Sequence, residues 1–300
     1  MLLQSLPHLP LKLLRPALIT VLTFVALIVI LIPLTKPRIE KRFGPIIHEV
    51  QSGFSQIRIR EKGPVRSILF VDKNGVEQCQ SSLNIEAPAE HQLGYTKSLF
   101  SSLLFHYPQN RVLIIGLGGG GMVQFLNFTF PAMRVEAVEI DPVVVSLAAE
   151  YFMTQPGPLV KIHTADAFVF LEAEHGSYDV IYMDAFLQPP ANSPLEEKTR
   201  RLKTVEFLTT LQTHLAPDGL VAFNIIPAES GAKENLAAIE EAFASTFTFN
   251  VPGTGNRIIV ACKKETTATP AELLERAKRL DDSLALNFSF QDLATSLRQP

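Results

Sequence analysis

Basic excess, metal-ligand spacing and a disulfide framework are all missing from this 300-residue chain. Its net charge is −3, so nothing in the composition suggests a nucleic-acid partner. The two cysteines, Cys79 and Cys262, stand far apart and suit neither a metal site nor a staple network; they read as small buried residues. The seven histidines are scattered, without the spacing of a metal site or a nucleophile–base pair, and no metal is expected. Tryptophan is absent and phenylalanine numerous at 20, from which no function follows. Internal repeats and low-complexity segments are lacking too. At this length one large domain or two smaller ones is the prior.

Charge is also missing from one local stretch. Between Arg15 and Lys36 lie 20 uncharged residues, PALITVLTFVALIVILIPLT. A helix of that length spans about 30 Å, the thickness of a bilayer's hydrocarbon core. The rivals are a cleaved signal peptide and a buried soluble helix. A signal peptide has a shorter apolar region and small residues at its cut site, whereas this run ends LIPLTKPRIEKR. The expectation is an uncleaved, single-pass membrane anchor at about residues 16–35. Lys12 and Arg15 precede it, and Lys36, Arg38, Lys41 and Arg42 follow it, which places the soluble domain in the cytoplasm.

Residues 1–42 thus read as anchor and basic linker, 43–104 as a small β-rich domain plus a helix, and 105–300 as an α/β domain. In the β-rich part, SQIRIRE and VRSILFV alternate like strands, DKNG is a turn, and VEQCQS returns as a third strand. From residue 111 apolar strands alternate with helices, which predicts a doubly wound, largely parallel sheet covered on both faces. TFNVP and NRIIVACK facing across GTG add an antiparallel hairpin at one edge, and TPAELLERAKRLDD closes as a capped amphipathic helix.

Ligands of such sheets bind beyond the carboxyl ends of the strands, and unusual residues stand there. The first strand, RVLII, runs into five glycines within six residues, spaced Gly116-x-Gly118-x-x-Gly121, where bare backbone can approach a nucleotide at a helix N-terminus. The second strand ends at Glu139, placed to accept hydrogen bonds from ribose hydroxyls. Asp141 reads as the N-cap of a helix opening at Pro142. Asp166 ends the third strand, as an N-cap, an acceptor for an adenine amino group, or both. Asp184 ends the fourth, YDVIYM, where an acid is costly unless it faces a cleft or a partner. One glycine turn followed by three strand-end acids fits a single adenosyl ligand better than a dinucleotide.

Residues 50–300, through VLIIGLGGGG, VEIDP, ADA, YDVIYMDAF and the TVEFL helix, resemble the spermidine synthase (polyamine aminopropyltransferase) family of S-adenosylmethionine-type transferases. The resemblance implies a Rossmann-like class I methyltransferase sheet. It implies an adenosyl site lined by Gly116, Gly118, Gly119, Gly120, Glu139, Asp166 and Ala167, with Gln56 reaching in from the β-rich unit. Asp184 would orient the acceptor, with Tyr95 closing the cleft. The departures bear on the reaction. Aminopropyltransferases carry GGGDGG, where this chain has Gly119, and a DxxD loop, where it has Asp184 and Leu187; a YHE segment reads Tyr95, Thr96, Lys97 here. A polyamine is a polycation and needs those acids. Gly119 instead leaves backbone N–H groups for the carboxylate of intact S-adenosylmethionine. The sequence therefore leans to methyl transfer from S-adenosylmethionine. The alternatives are genuine aminopropyl transfer from the decarboxylated donor, and a catalytically idle adenosyl-binding membrane protein. The acceptor, a small molecule or a protein, stays open, as does assembly into a homodimer. The Pro-rich stretch 189–204 reads as a lid or a solvated connection, and its Lys198, Arg200, Arg201 and Lys203 as a solvated face.

Overall fold

The computed structural model describes residues 39–173, 176–185, 201–202, 204–227 and 231–298. The chain divides into two compact units, Met1–Pro45 and Ile46–Pro300. In the first, residues 39–43 are helical, and the Gly44 amide donates to the Glu40 carbonyl at 2.8 Å. Among the described residues no helix is long and apolar enough to cross a membrane. The anchor read at 16–35 lies outside them.

The second unit opens with an antiparallel sheet of four strands in the order β1-β2-β3-β4: β1 (Ile46–Gln51), β2 (Gln56–Lys62), β3 (Val65–Val71) and β4 (Glu77–Asn84). The sequence announces three. The extra strand, IIHEVQ, begins with Ile46 and Ile47 adjacent and both exposed, so it lacks the alternation that betrays a half-buried strand. Ile57, Ile59, Ile68 and Leu83 form one face of this sheet and pack on Val144, Leu147 and Phe152 of a helix from the larger layer.

Helix α1 (Gly94–Leu99) and a 3₁₀ turn (Phe100–Leu104) lead into the main sheet. Its strands are β5 (Arg111–Ile115), β6 (Arg134–Glu139), β7 (Val160–Thr164), β8 (Tyr178–Met183), β9 (Leu215–Ile225), β10 (Ser245–Asn250) and β11 (Arg257–Cys262). They lie in the order β10-β11-β9-β8-β5-β6-β7. The pairs among β9, β8, β5, β6 and β7 are parallel, while β11 runs antiparallel to β9 and carries β10 outside it. The expected edge hairpin is therefore present. The order reverses between β5 and β8, which is where such sheets open a ligand crevice.

The helices are α2 (Gly121–Thr129), α3 (Pro142–Phe152), α4 (Ala167–Glu172), α5 (Val205–Thr213), α6 (Ala232–Ala242), α7 (Pro270–Ser283) and α8 (Phe290–Thr295). Each central strand is apolar on both sides. Val112 and Ile114 of β5 join one core with residues of α2, α7 and α8, and Leu113 and Ile115 join the other with residues of α4, α5 and α6. That two-sided burial is why these strands read as continuous apolar runs. Thr269 and Glu272 close a reciprocal capping box at the start of α7, as TPAE predicts.

Candidate active site

β5 reaches Ile115 and the chain must then reverse into α2 within a few residues. Gly116 takes φ +98°, and a Cβ there would stand 2.5 Å from the Asp184 carbonyl oxygen. Gly120, the N-cap of α2, takes φ +76°, and a Cβ would fall 2.3 Å from the Thr154 side chain. Only glycine fits either position. A Cβ on Gly119 would meet the Phe152 ring at 2.8 Å.

These directions sort the glycines. Gly116, Gly118 and Gly121, the three of the G-x-G-x-x-G spacing, line a cleft at the strand ends. Gly119 and Gly120 point behind the turn, toward Phe152 and Thr154, and the Thr154 hydroxyl donates to the Gly119 carbonyl at 2.9 Å. Gly119 and Gly120, both expected at the ligand, are not among the described residues that line the cleft. Gln124 ties down the same supporting segment, its amide donating to the Met153 carbonyl at 2.6 Å.

Glu139 lies at the end of β6 beside the turn. Its Oε2 accepts from the Leu117 amide and its Oε1 from the Asp141 amide, each at 3.0 Å. Burial raises its pKa, and these backbone donors oppose the rise. Each carboxylate oxygen keeps acceptor capacity for a vicinal diol. Asp141 caps α3 through the Val143 amide at 2.9 Å, and Asp166 caps α4 through the Phe168 amide at 3.0 Å, so both N-cap readings hold. Asp141, Asp166, Ala167 and Phe168 also line the cleft, and the Arg201 guanidinium sits 4.3 Å from the Phe168 ring centroid.

At the other end of the cleft, the Asp184 Oδ2 lies 3.4 Å from the Tyr95 hydroxyl, which also donates to the Gln80 carbonyl at 2.9 Å. Oδ1 accepts from the Asn224 amide at 3.2 Å, and the Asn224 side-chain oxygen in turn accepts from Asn256 at 2.9 Å. Burial pushes the Asp184 pKa up to about 7, against the pull of the Asn224 and Tyr95 hydrogen bonds. Burial first, then the nearby Asp184, holds the Tyr95 phenol well above its usual value. Tyr95 is therefore a neutral donor that orients, and Asp184 an acid that titrates in the working range.

Asn224 and Asn256 carry no motif at the sequence level; only the pairing of β9 with β11 brings them to Asp184. Gln56 is not brought to the cleft. Its side-chain amide donates to Glu49 across the β1–β2 pair, while the preceding Phe54 and Ser55 line the opening. Leu187 and most of the 189–204 stretch lie outside the described residues. His91 is buried against the rings of Phe100 and Phe125, and burial together with Lys97 lowers its pKa to about 3. It is a neutral core residue.

An open α/β sheet with an antiparallel terminal hairpin, a glycine turn and strand-end acids is the framework of nucleoside-binding transferases. Residues 92–269 match the spermine/spermidine synthase domain, and the chain belongs to that family. A polyamine aminopropyltransferase from Vibrio vulnificus is 31% identical over 224 residues, 72% of this chain and 71% of that protein. Human methyltransferase-like protein 13, solved in complex with SAH, superposes with a TM-score of 0.57 at 25% identity, covering 66% of this chain and 95% of that one. A spermidine synthase solved with the transition state analogue AdoDATO superposes with a TM-score of 0.66 at 18% identity over 86% of each chain, a likeness of fold. An eEF1A lysine and N-terminal methyltransferase from Bos taurus is 30% identical over 187 residues, 58% of this chain and 26% of that protein, so the relatives of this chain include both kinds of transferase.

Proposed function

We propose that this protein binds S-adenosylmethionine across the ends of β5, β6 and β7 and transfers its methyl group to an acceptor held at Asp184. The observation that carries the reading is the distribution of acids along the cleft. Among the described lining residues these are Glu139, Asp141, Asp166 and Asp184, and the first three stand at the ribose and adenine end. Among the described lining residues only Asp184 faces the acceptor end, and position 119, turned toward Phe152, offers no acid to a donor ammonium. A polycationic acceptor would be poorly compensated there. Methyl transfer asks mainly for alignment of a nucleophile with the sulfonium methyl. Asp184 would orient an amine or hydroxyl through its proton and take that proton once the new bond to carbon forms.

The rival reading is aminopropyl transfer, favoured by the relationship to the Vibrio enzyme. Calorimetry with both donors separates the two. Intact S-adenosylmethionine should bind about 5–30-fold more tightly than the decarboxylated form, the worth of one charge-assisted contact. Glu139→Ala should weaken both. Tighter binding of the decarboxylated donor, or conversion of putrescine to spermidine, would install the rival. Binding of either donor without turnover on any acceptor would favour an idle module.

The charge-free run at 16–35 supports a single-pass anchor with the catalytic unit in the cytoplasm. The intact chain should then stay in the membrane pellet after carbonate extraction. Its recovery in the soluble fraction would remove the anchor from the proposal.

A further inference from the structure

Asn224 stands on β9 opposite Ile258 of β11, and Asn256, two residues earlier, reaches it diagonally across the pair. The Asn256 side-chain amide donates to the Asn224 oxygen at 2.9 Å, and the Asn224 amide donates to the Asp184 Oδ1 at 3.2 Å. Both bonds point the same way, toward the acid at the acceptor end of the cleft.

The direction matters because a side-chain amide has a donor on one side and an acceptor on the other. Turned one way, Asn224 gives its N–H to Asp184 and favours the carboxylate. Turned the other way, it offers its oxygen, to which only a protonated acid can donate. Each orientation thus suits one protonation state of Asp184. Asn256 selects between them. Among the described residues the Asn224 oxygen accepts from Asn256 alone, and that bond is kept only while the Asn224 N–H faces Asp184.

Asn256 is itself held by the β10–β11 hairpin. Its carbonyl accepts from the Val251 amide at 3.1 Å, and its amide donates to the Thr254 hydroxyl at 3.2 Å. Neither bond uses the Asn256 side chain, so the turn keeps them when that side chain is replaced. Elsewhere around Asp184, α1 contributes the Tyr95 phenol, with the Cys79 thiol of β4 beside it. β5 meets Asp184 through backbone, the Ile115 carbonyl accepting from its amide at 3.0 Å.

We propose that Asn256 is a positioning residue for the transfer site: it fixes the Asn224 amide with its N–H toward Asp184, and so favours Asp184 as the carboxylate that takes the acceptor's proton. The proposal rests on the reading of Asp184 as that proton acceptor and adds what sets its protonation state.

The test needs no acceptor. Melting temperatures of the full chain are measured between about pH 4 and pH 9, and each curve is subtracted from that of its Asp184→Asn counterpart to isolate this one carboxyl. For the unaltered protein the difference should grow with pH and level off above about 7, where burial has raised the Asp184 pKa. Asn256→Ala should raise that folded-state pKa further, so the difference should level off about one pH unit higher and end larger, as loss of one oriented hydrogen bond to a charged group implies. Asn256→Asp should move it at least as far, since an ionised carboxylate cannot donate to Asn224 and adds like charge. A shift in Asn256→Asp without one in Asn256→Ala would be charge repulsion alone and would overturn the proposal, as would no shift in either. An equal loss of melting temperature at every pH, with or without Asp184, would make Asn256 a structural residue and overturn it too. Transfer retained by Asp184→Asn would overturn the reading beneath the proposal, through a measurement separate from the melting curves.

Discussion

Asp184→Asn is expected to remove most transfer activity while making the folded protein more resistant to heat at alkaline pH. The carboxylate sits at the end of a buried strand, and burial lifts its pKa from 3.8 to about 7. Between those values the folded state binds more protons at this site than the unfolded state, so stability falls as pH rises. The full cost of the buried charge is reached above about 7, and asparagine escapes it. Asparagine also fits the hydrogen bonds, since its oxygen can accept from Asn224 and its amide can donate to the Tyr95 oxygen. The melting temperature of the variant should exceed that of the unaltered protein at about pH 8, with the gap closing toward about pH 4. Turnover should drop by about 10²–10⁴-fold, the range for losing a positioned proton acceptor. The unaltered enzyme should gain activity as pH rises through about 7, and the variant should not. A variant less stable at alkaline pH, or one retaining its turnover, would make Asp184 a structural acid.

Gly116→Ala carries the largest expected effect on folding. The new methyl would stand 2.5 Å from the Asp184 carbonyl oxygen, and both residues are pinned by backbone bonds. The Gly116 amide donates to Val138 at 2.9 Å and the Asp184 amide to Ile115 at 3.0 Å. Neither β5 nor β8 can retreat, since each is paired on both sides in the middle of the sheet. Overpacking and the positive φ together should cost about 2–6 kcal/mol, read from the denaturant midpoint. Gly255→Ala is the control: a Cβ there meets nothing within 4 Å. Its change should stay within about 0.5 kcal/mol.

What the sequence could and could not say follows from the range of each signal. The glycine turn, Glu139 and Asp184 were legible because each sits at the end of an apolar strand within a short, patterned window. The caps at Asp141, Asp166 and Thr269 were legible for the same reason: an N-cap is a contact between near neighbours. Asn224 and Asn256 were not, because their meeting with Asp184 depends on the register of β9 against β11. Nor was the outward turn of Gly119 and Gly120, which is set by backbone angles and by Phe152 and Thr154, more than 30 residues away. Gln56 shows the same limit, for its partner Glu49 belongs to a strand without the alternating pattern.

The pairing of Gly119 with Phe152 has a historical consequence. An aspartate at 119 would have to enter space the buried ring now fills, so the two positions are epistatic. Along any lineage joining this site to one with an acid in that place, the order of substitution is constrained. Shrinkage at 152 must come before, or together with, growth at 119, and the reverse order passes through an overpacked intermediate. While the ring is in place, growth at 119 alone pays that overpacking cost, whatever chemistry selection favours.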